Sequence, residues 1–425
     1  MNKFISATLA QLRMQRMLSA LGIAGTAMSI FLIMVVVMIH QVKVLPFVPE
    51  SNRDRMLHLK FAAFEAETGS ASGNMSYSTA RALVDSIASA QAVSVMQDGC
   101  VEEVVKVPAG IKAKADMRAT DAAFWQIFDF RFLHGKPYGA DAVEAGLPEA
   151  VISASTARKL FGTENAVGRE FRKGRIDYRV VGVVNDVSTL ADRAYSQIWV
   201  PATACPGLMG GWLDGLMGDF SAVILARDRD DFDVIRRDFA ESVSKLNAGL
   251  KPTGWNYVPL SRPYDQVMHA ETKFSNVDPD LESSRRIRML VYLVLLIVPA
   301  INLSGMTESR LRRRAAEIGV RRAFGCTRGR MFAQLVGESL VITLIAGIIG
   351  WIASIAFASI LASEIFSDNW GAVSTQAPAV SIDMLVQWPV FFTALVFCLI
   401  LNFLSNSLPA WHASRNSIVG SINQQ

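Results

Sequence analysis

Apolar residues are concentrated in long runs near the two ends of this 425-residue chain, while the stretch between them mixes polar and apolar positions. A run without a charged residue extends from Leu18 to Ile39, and further apolar segments occupy about 289–306, 335–362 and 388–408. A helix needs roughly 20 apolar residues to cross a bilayer core, and backbone groups in lipid must be paired internally. The pattern therefore predicts four membrane-spanning helices, with a buried core helix as the alternative for each segment.

The first apolar run also invites comparison with a signal peptide. A signal peptide has an apolar region of about 7–15 residues that ends in a small-residue cleavage site. The run here is longer and continues into His40-Gln41-Val42-Lys43 without such a site. An uncleaved span is therefore predicted.

Positive charge is distributed unequally between the short loops. Between 363 and 387 there is no Lys or Arg, whereas the loop before the third span is rich in arginine: Arg310, Arg312, Arg313, Arg314, Arg321, Arg322, Arg328 and Arg330. Because positively charged loops stay in the cytoplasm, this bias places the arginine-rich loop and both termini inside and the long segment after the first span outside. Three arginines at 285–288 oppose this orientation, but they follow a long translocated segment, where charge steers topology weakly.

The predicted fold class is a multi-pass α-helical membrane protein with four transmembrane helices and a large α+β extracytoplasmic domain between the first two. The hydrophobic content of 51% agrees with this class, and the net charge of +4 adds little. The predicted segments are a cytoplasmic stub (1–17), the first span (18–40), an extracytoplasmic domain of two lobes (41–287), the second span (288–308), a cytoplasmic coupling loop (309–334), the third span (335–362), a short outer loop (363–387), the fourth span (388–408) and a cytoplasmic tail (409–425).

Within the long outer segment the pattern predicts both strands and helices. Stretches rich in β-branched residues at 177–186 and 221–226 predict buried strands. A helix is predicted over 154–161, with Ser153 as its N-cap and Gly162 closing its C-terminal end. The mixture of elements indicates an α+β domain.

Apolar positions at helical spacing predict an amphipathic helix over 232–250. Gly- and Ser-rich stretches at 68–76 and 206–218 predict loops. Cys100 and Cys205 both fall in this outer segment, where an oxidising compartment would permit a disulfide between them. Two free, buried thiols are the alternative.

The sequence offers no set of residues that would make the chain an enzyme. It contains no H-E-x-x-H or G-x-S-x-G motif, and Asp129, Asp186 and Asp192 are expected in turns and on solvated faces. The four cysteines fit no metal-ligand spacing. The five histidines are isolated from one another in the sequence: His40, His58, His134, His269 and His412.

The arginine-rich loop has the pattern of a short helix lying at the membrane surface. Glu317 and Arg321 stand four residues apart with the acid first, which favours a helical ion pair. Ile318 and Phe324 add an apolar side, and Gly319 permits a break. Such a helix suits a groove in a cytoplasmic partner, but a basic cluster at anionic lipid explains the composition equally well.

Small residues recur every fourth position on the third span, at Ala346, Gly350, Ser354 and Ala358. Such a row lets two helix backbones approach closely. A loosely packed helix facing lipid is the alternative.

Several segments together resemble the FtsX-like ABC permeases of the MacB family. The segment Glu317-Ile-Gly-Val-Arg-Arg-Ala-Phe-Gly-Cys-Thr-Arg-Gly329 resembles the signature of their cytoplasmic loop. The outer segment resembles their extracytoplasmic core domain, and the chain end resembles their C-terminal signature. The matching stretches are 123–137, 150–162, 168–171, 178–186, 332–338 and 408–415.

This resemblance implies a permease subunit in the inner (cytoplasmic) membrane that works as a dimer with an ATP-binding cassette protein. The loop would dock on the ATPase through Glu317, Ile318, Gly319, Arg321, Arg322, Phe324, Gly325 and Arg328. MacB itself carries its ATPase in the same chain, but G-x-x-x-x-G-K-[ST] does not occur here, so ATP and Mg²⁺ are expected on a partner and no cofactor on this chain. The chain departs from the family pattern at Phe324 and Cys326.

Other partners and tasks stay open at the level of sequence. Membrane lipid, a second copy or a paralogue, and a periplasmic or outer-membrane protein are expected partners, and nucleic acid is not. A membrane-anchored sensor or binding protein without an ATPase is the alternative function. Within the transporter interpretation, export of a peptide or amphiphile, extraction of lipoproteins and activation of cell-wall hydrolases are all compatible with the residues.

Overall fold

The computed structural model of the chain describes residues 16–295, 297, 324, 327–360, 391–392, 395–396, 399–400 and 403. These residues belong to two compact units. A helical unit contains the chain up to His40 and the residues from Glu282 onward that the structure describes. An α/β unit extends from Gln41 to Leu281.

The helical unit is built from long apolar helices. Helix α1 spans Arg16–Val44, and its last residues, from Gln41, belong to the α/β unit. Two stretches in the described part are long and apolar enough to cross a membrane, Ile23–Val44 and Leu340–Ile360. They lie at the positions of the first and third predicted spans. The other two predicted spans fall largely outside the described residues, so a total of four spans stays a prediction.

The remaining helices are shorter, apart from one near the end of the described chain. In chain order they are α2 (Tyr77–Val84), α3 (Phe124–Ile127), α4 (Ala140–Glu144), α5 (Ala154–Phe161), α6 (Pro206–Met209), α7 (Phe232–Leu250), α8 (Gln266–Glu271), α9 (281–295) and α10 (Arg328–Ile360).

The first sheet of the α/β unit is antiparallel and has the strand order β14-β1-β12-β4. Its strands are β1 (Met56–Leu59), β4 (Ala92–Gln97), β12 (Phe220–Leu225) and β14 (Tyr264–Asp265). Helices α2 and α7 contact each other, and α2 also packs on β12. Strand β12 is buried along its whole length because this sheet has cover on both faces.

A small antiparallel sheet lies beside it, with the order β13-β2-β3. Its strands are β2 (Ala62–Ala66), β3 (Gly69–Gly73) and β13 (Asn256–Tyr257). The rings of Phe64 on β2 and Tyr257 on β13 meet edge to face, with their centroids 5.5 Å apart.

Seven strands form the third sheet, in the order β7-β10-β8-β11-β6-β5-β9. They are β5 (Val101–Lys106), β6 (Lys112–Thr120), β7 (Phe132–Gly135), β8 (Glu149–Ser153), β9 (Glu170–Lys173), β10 (Ile176–Val184) and β11 (Ile198–Pro201). Strand β9 pairs with both β5 and β10, so six strands close into a barrel and β7 extends it at β10. Phe171 and Tyr178 stack in the buried interior.

The chain enters the barrel after β4 and returns from it through β12. The barrel is therefore an insertion between two neighbouring strands of the first sheet. The pairing of β1 with β14 brings residues 44–60 and 260–280 together, although the barrel is inserted between these two segments in the chain.

Most of the local predictions for this domain are confirmed. The strands at 176–184 and 220–225 and the helix over 232–250 are present. Ser153 accepts a hydrogen bond from the amide of Thr156 at the start of α5, and Gly162 ends that helix in a left-handed conformation.

The two predicted loops are partly wrong. Residues Gly69–Gly73 form strand β3, and Pro206–Met209 form a short helix. Strand pairing uses main-chain groups, so small side chains do not prevent Gly69–Gly73 from pairing with β2.

Candidate functional site

The last turn of α1 is held by side chains from two distant parts of the α/β unit. Arg53 donates from Nη1 to the carbonyl oxygens of Val42 and Leu45, at 2.7 and 3.1 Å. Gln266 donates from Nε2 to the carbonyl oxygen of Lys43, at 2.8 Å. The last carbonyls of a helix lack partners within the helix, and a cation is favourable there. These contacts fix the end of α1.

Arg53 is itself held in a fully buried ion pair. Its Nε lies 2.6 Å from Glu50 Oε2, and its Nη2 donates to the carbonyl oxygen of Leu190. The other oxygen of Glu50 accepts from the amides of Arg193 and Ala194, at 2.8 and 2.9 Å. Removing either partner of such a pair leaves an uncompensated buried charge, so the pair resists being opened.

Gln266 begins helix α8, where Asp265 is the N-cap and accepts from the amide of Met268. Because its amide nitrogen faces Lys43, its Oε1 faces His58 and accepts from His58 Nε2, at 2.8 Å. His58 therefore carries its proton on Nε2. The His58 ring stacks on His269 of α8, with the ring centroids 4.2 Å apart.

Arg193 carries the charge beside these histidines. It is buried and lies 2.5 Å from Asp98 and 3.2 Å from Asp192, and its Nη1 also donates to Ser221. Burial and the nearby Arg193 lower the pKa of His58 to about 3. Burial, the neighbouring His58 and Arg193 hold the pKa of His269 well below its ordinary value. Both imidazoles are therefore neutral at neutral pH.

We call Glu50, Arg53, His58, Gln266 and His269 the joint. Two sets of contacts reach neighbouring carbonyls of the last turn of α1. They pass from Arg53 through Glu50 to Arg193, and from His269 through His58 to Gln266. Gln266 contacts a residue 223 positions away in the chain. The joint therefore ties the segment that enters the domain to the segment that leaves it.

Residues 272–280, which we call the exit segment, have a second attachment. Asp278 accepts from the amide and hydroxyl of Ser261, at 3.1 and 2.9 Å, and from the hydroxyl of Tyr264, at 2.6 Å. Arg262 donates to the carbonyl of Ser275. These hydrogen bonds outweigh partial burial and hold the pKa of Asp278 below its ordinary value. The exit segment leads directly into α9.

This arrangement binds segments to one another and contains no reactive pair. Among the described residues, no group of three or more His, Cys, Asp or Glu side chains is placed to hold a metal ion. The chemistry available at the joint is the making and breaking of buried hydrogen bonds.

Two family patterns match the chain, and the boundary of the α/β unit at Leu281 lies in the gap between them. The MacB-like periplasmic core domain matches residues 17–241, and the FtsX-like permease C-terminal region matches residues 289–418. The chain belongs to the MacB/FtsX-like ABC permease family. Members of this family are membrane permeases with a periplasmic or extracellular domain, and the α/β unit is that domain here.

Relatives of this permease differ in how much of their length it covers. It is 24% identical over 296 residues to the macrolide export ATP-binding/permease protein MacB of Burkholderia pseudomallei strain 1710b, covering 69% of this chain and 40% of that protein. It is 22% identical over 326 residues to the uncharacterized ABC transporter permease YknZ of Bacillus subtilis strain 168, covering 75% of this chain and 74% of that protein. The permease thus spans well under half the length of the MacB relative.

A crystal structure of the extracellular domain of the ABC-type transporter YknZ from Gram-positive bacteria also matches. The TM-score is 0.35 at 11% identity, and the match covers 48% of this chain and 99% of that one.

Most of the predicted coupling residues of the permease lie outside the described residues: Glu317, Ile318, Gly319, Arg321, Arg322 and Gly325. Phe324 is described in a turn and is 88% exposed. Arg328 begins helix α10. The docking role of this loop stays a prediction.

The four small residues of the third predicted span lie along one face of α10. Ala346, Ser354 and Ala358 are buried. A Cβ added to Gly350 would lie 2.7 Å from the carbonyl oxygen of Ala27 on α1, and 3.1 Å from Cβ of Ile30. The backbones of α1 and α10 therefore approach closely at Gly350, and only glycine fits there.

The disulfide considered for the outer domain is not formed, since Cys100 and Cys205 are both free thiols. Each has its own surroundings. The sulfur of Cys205 lies 3.5 Å from the hydroxyl of Tyr178, in the barrel interior, and Cys100 lies beside Arg118. Spacing along the chain carried no information on this distance.

The description of the histidines as isolated was wrong for His58 and His269, which stack face to face. Asp192 keeps 62% of its side chain exposed, as expected of a solvated face, yet it also lies 3.2 Å from Arg193. The joint was missed because its members come from opposite ends of the domain. The signal available was only that Glu50 and Arg53 stand three residues apart just after the first span.

Proposed function

We propose that this chain is the permease subunit of an ABC transporter complex. In this complex, ATP hydrolysis by a separate ATP-binding subunit drives a conformational change in the extracytoplasmic domain, for export or for mechanical transmission across the membrane. Family membership supports the permease role. The sequence contains no P-loop motif, and the permease-type relative YknZ is covered over 74% of its length.

The observation that carries this proposal is the bridge from Gln266 to the last turn of α1. Displacement of that turn pulls on Gln266 and Arg53, both of which are hydrogen-bonded in buried surroundings. Breaking these bonds without replacement costs about 1–3 kcal/mol for each buried group. Motion of the first span is therefore passed to the domain and to the segment before α9, instead of being lost in a flexible connection.

The finer features of the proposal follow the sequence. Four spans with both termini in the cytoplasm place the arginine-rich loop against the ATP-binding subunit, which holds ATP and Mg²⁺. The permease acts as a dimer with a second copy or a paralogue. A periplasmic or outer-membrane partner is expected on the far side.

The decisive experiment removes the bridge without unfolding the domain. Gln266→Met keeps the length of the side chain but removes the donor to the Lys43 carbonyl and the acceptor for His58 Nε2. The permease and its ATP-binding subunit are reconstituted in nanodiscs with a spin label at Val167, which is exposed on the barrel. We expect the equilibrium constant of the ATP-dependent change, followed through label mobility or distance, to fall about tenfold, which corresponds to about 1.4 kcal/mol.

Gln126→Met is the matched control, because Gln126 is exposed at α3 and lies outside the joint. It should leave the ATP-dependent change intact. The proposal fails if no ATP-binding subunit co-purifies with the wild-type chain. The role of the joint fails if Gln266→Met responds to ATP as the control does.

A further inference from the structure

Three basic side chains lie next to one another across three strands on the outside of the barrel. Lys112 on β6 is directly opposite Lys106 on β5, and Lys106 is directly opposite Arg172 on β9. The neighbouring residues Val105 and Phe171 are buried in the interior. Side chains alternate between the two faces of a strand, so the three basic residues face outward, and all three are exposed. We call them the basic row.

Within the described residues, acids of the same domain do not compensate the two lysines of the basic row. Residues directly opposite on adjacent strands lie about 5 Å apart, and like charges in that position are destabilising. Asp177 on β10 extends the row, but it forms a two-point ion pair with Arg172, at 2.6 and 2.7 Å. Over the part of the chain that the structure describes, neither Lys106 nor Lys112 forms an ion pair.

The acids closest along these strands are already paired with other lysines. Glu102 lies 2.6 Å from Lys114, and Glu103 lies 2.8 Å from Lys173. Folding gains nothing from placing Lys106 opposite Lys112. An anion from outside the chain would remove the repulsion between them.

The spacing of the two lysines indicates the chemistry of that anion. A single carboxylate has one negative charge and would neutralise one ammonium group. A phosphate monoester carries close to two charges at neutral pH and several acceptor oxygens, so it satisfies two ammonium groups one strand apart. Lysine binds phosphate as a point charge, which suits an exposed surface.

Apolar side chains flank the basic row. Val104 is two residues from Lys106 on the same face of β5 and is 56% exposed. Ile111 precedes Lys112 in the turn between β5 and β6 and is 47% exposed. These two residues offer contact to an apolar part of the same ligand. We propose that Lys106 and Lys112, with Arg172 beside them, form an extracytoplasmic binding site for a phosphate-bearing ligand.

The test uses the full-length chain in zwitterionic nanodiscs at low ionic strength. Tripolyphosphate is titrated in one arm, and vesicles containing phosphatidic acid, whose headgroup is a phosphate monoester, are used in the second, so that a soluble phosphate and a lipid headgroup are distinguished. Poly-glutamate is the third arm. We expect one of the phosphate arms to bind, and the double variant Lys106→Gln/Lys112→Gln to weaken that binding at least tenfold. Binding should also weaken as salt is raised.

Lys114→Gln is the matched control, because Lys114 lies on the same strand as Lys112 but already has Glu102 as its partner. It should change the affinity less than twofold. Lys106→Glu should raise the melting temperature, since it places an acid between two bases, and it should abolish phosphate binding. Equal affinity of the double variant and wild type would overturn the proposal, as would tighter binding of poly-glutamate than of either phosphate probe.

The titration is carried out on the permease alone. Its outcome is therefore independent of the ATP-binding subunit. Loss of tripolyphosphate or vesicle binding in the double variant together with an intact ATP-dependent response at Val167 would show that the two functions are separate.

Discussion

At the scale of single residues, the joint depends on side chains that each serve two partners. Gln266 donates to Lys43 and accepts from His58, and Glu50 accepts from Arg53 with one oxygen and from two amides with the other. The side-chain amide of Gln266 carries both a donor and an acceptor, a combination that few side chains offer. A polar residue that lacks either the donor or the acceptor would therefore not replace Gln266 in the joint.

The stacked histidines make the stability of the domain dependent on pH. The pKa of His58 is about 3 in the folded chain, and an unperturbed histidine has a pKa of about 6.5. The unfolded chain therefore binds more protons between these values, and stability is full above pH 6.5 and falls as the pH is lowered towards 3. Each imidazole contributes a slope on the order of 1.4 kcal/mol per pH unit.

We therefore expect His269→Phe, which keeps a ring in the stack, to lose stability less steeply between pH 6.5 and 4 than wild type. Thermal unfolding at a series of pH values measures this slope. His134→Phe is the control, since His134 lies on β7, away from the joint. Equal slopes of stability against pH for wild type and His269→Phe would show that the buried imidazole of His269 does not cause the loss of stability at low pH.

At the scale of elements, secondary structure in the outer domain followed from local signals. Helix α7 and the caps of α5 were predictable, because apolar spacing and capping residues act within a few positions. Strand β3 was not, because its pairing with β2 depends on main-chain groups that every sequence has. The row of small residues on α10 could be recognised in the sequence. The helix that packs against it, α1, could not.

Close packing of α10 on α1 predicts a sharp difference between two glycines. A Cβ at Gly350 would meet the backbone oxygen of Ala27 at 2.7 Å, whereas a Cβ at Gly347 would meet the ends of the Leu395 and Ile30 side chains, at 2.9 and 3.8 Å. We expect Gly350→Ala to lower stability by about 1–3 kcal/mol, because backbone cannot move aside as a side-chain end can. Gly347→Ala should cost less than half as much. Thermal unfolding in detergent compares the two, and equal losses would contradict the packing.

The arginine-rich loop gives a prediction about an element outside the described residues. We expect Glu317→Lys to reduce ATP-dependent activity of the reconstituted complex at least fivefold, with membrane insertion unchanged, because charge reversal would disrupt both the predicted helical ion pair and the predicted docking surface. The double variant Glu317→Arg/Arg321→Glu restores the ion pair alone. Full activity in that double variant would show that only the helix, and no docking charge, is required.

At the scale of the whole molecule, the family places the α/β unit outside the cytoplasm, and the loop charges predict the rest of the topology. We expect a cysteine at Val167 to react with a membrane-impermeant maleimide in right-side-out vesicles. A cysteine at Val320 should react only after detergent is added. Both are introduced into a cysteine-free background, and gel-shift labelling provides the measurement. The reverse labelling pattern would show that the topology is the opposite of the predicted one. It would also contradict the predicted docking of the loop on the ATP-binding subunit.

The sequence by itself determined the properties that depend on neighbours along the chain. These are the apolar lengths that predict spans, the charge bias of the loops, the motifs that identify the permease family and the local helices and strands of the domain. These properties arise from interactions over a few residues or from the bilayer as a solvent. They can therefore be predicted without knowledge of distant contacts.

Only the tertiary structure decided which distant residues meet. It closed the barrel through β9, stacked His58 on His269, brought Gln266 to the end of α1 and set Lys106 against Arg172. These contacts join positions that are far apart in the chain, and strand register selects each partner from many of similar composition. A shift of one residue would turn every side chain of a strand to the opposite face, so register and not composition fixes the basic row and the face of β1 on which His58 lies.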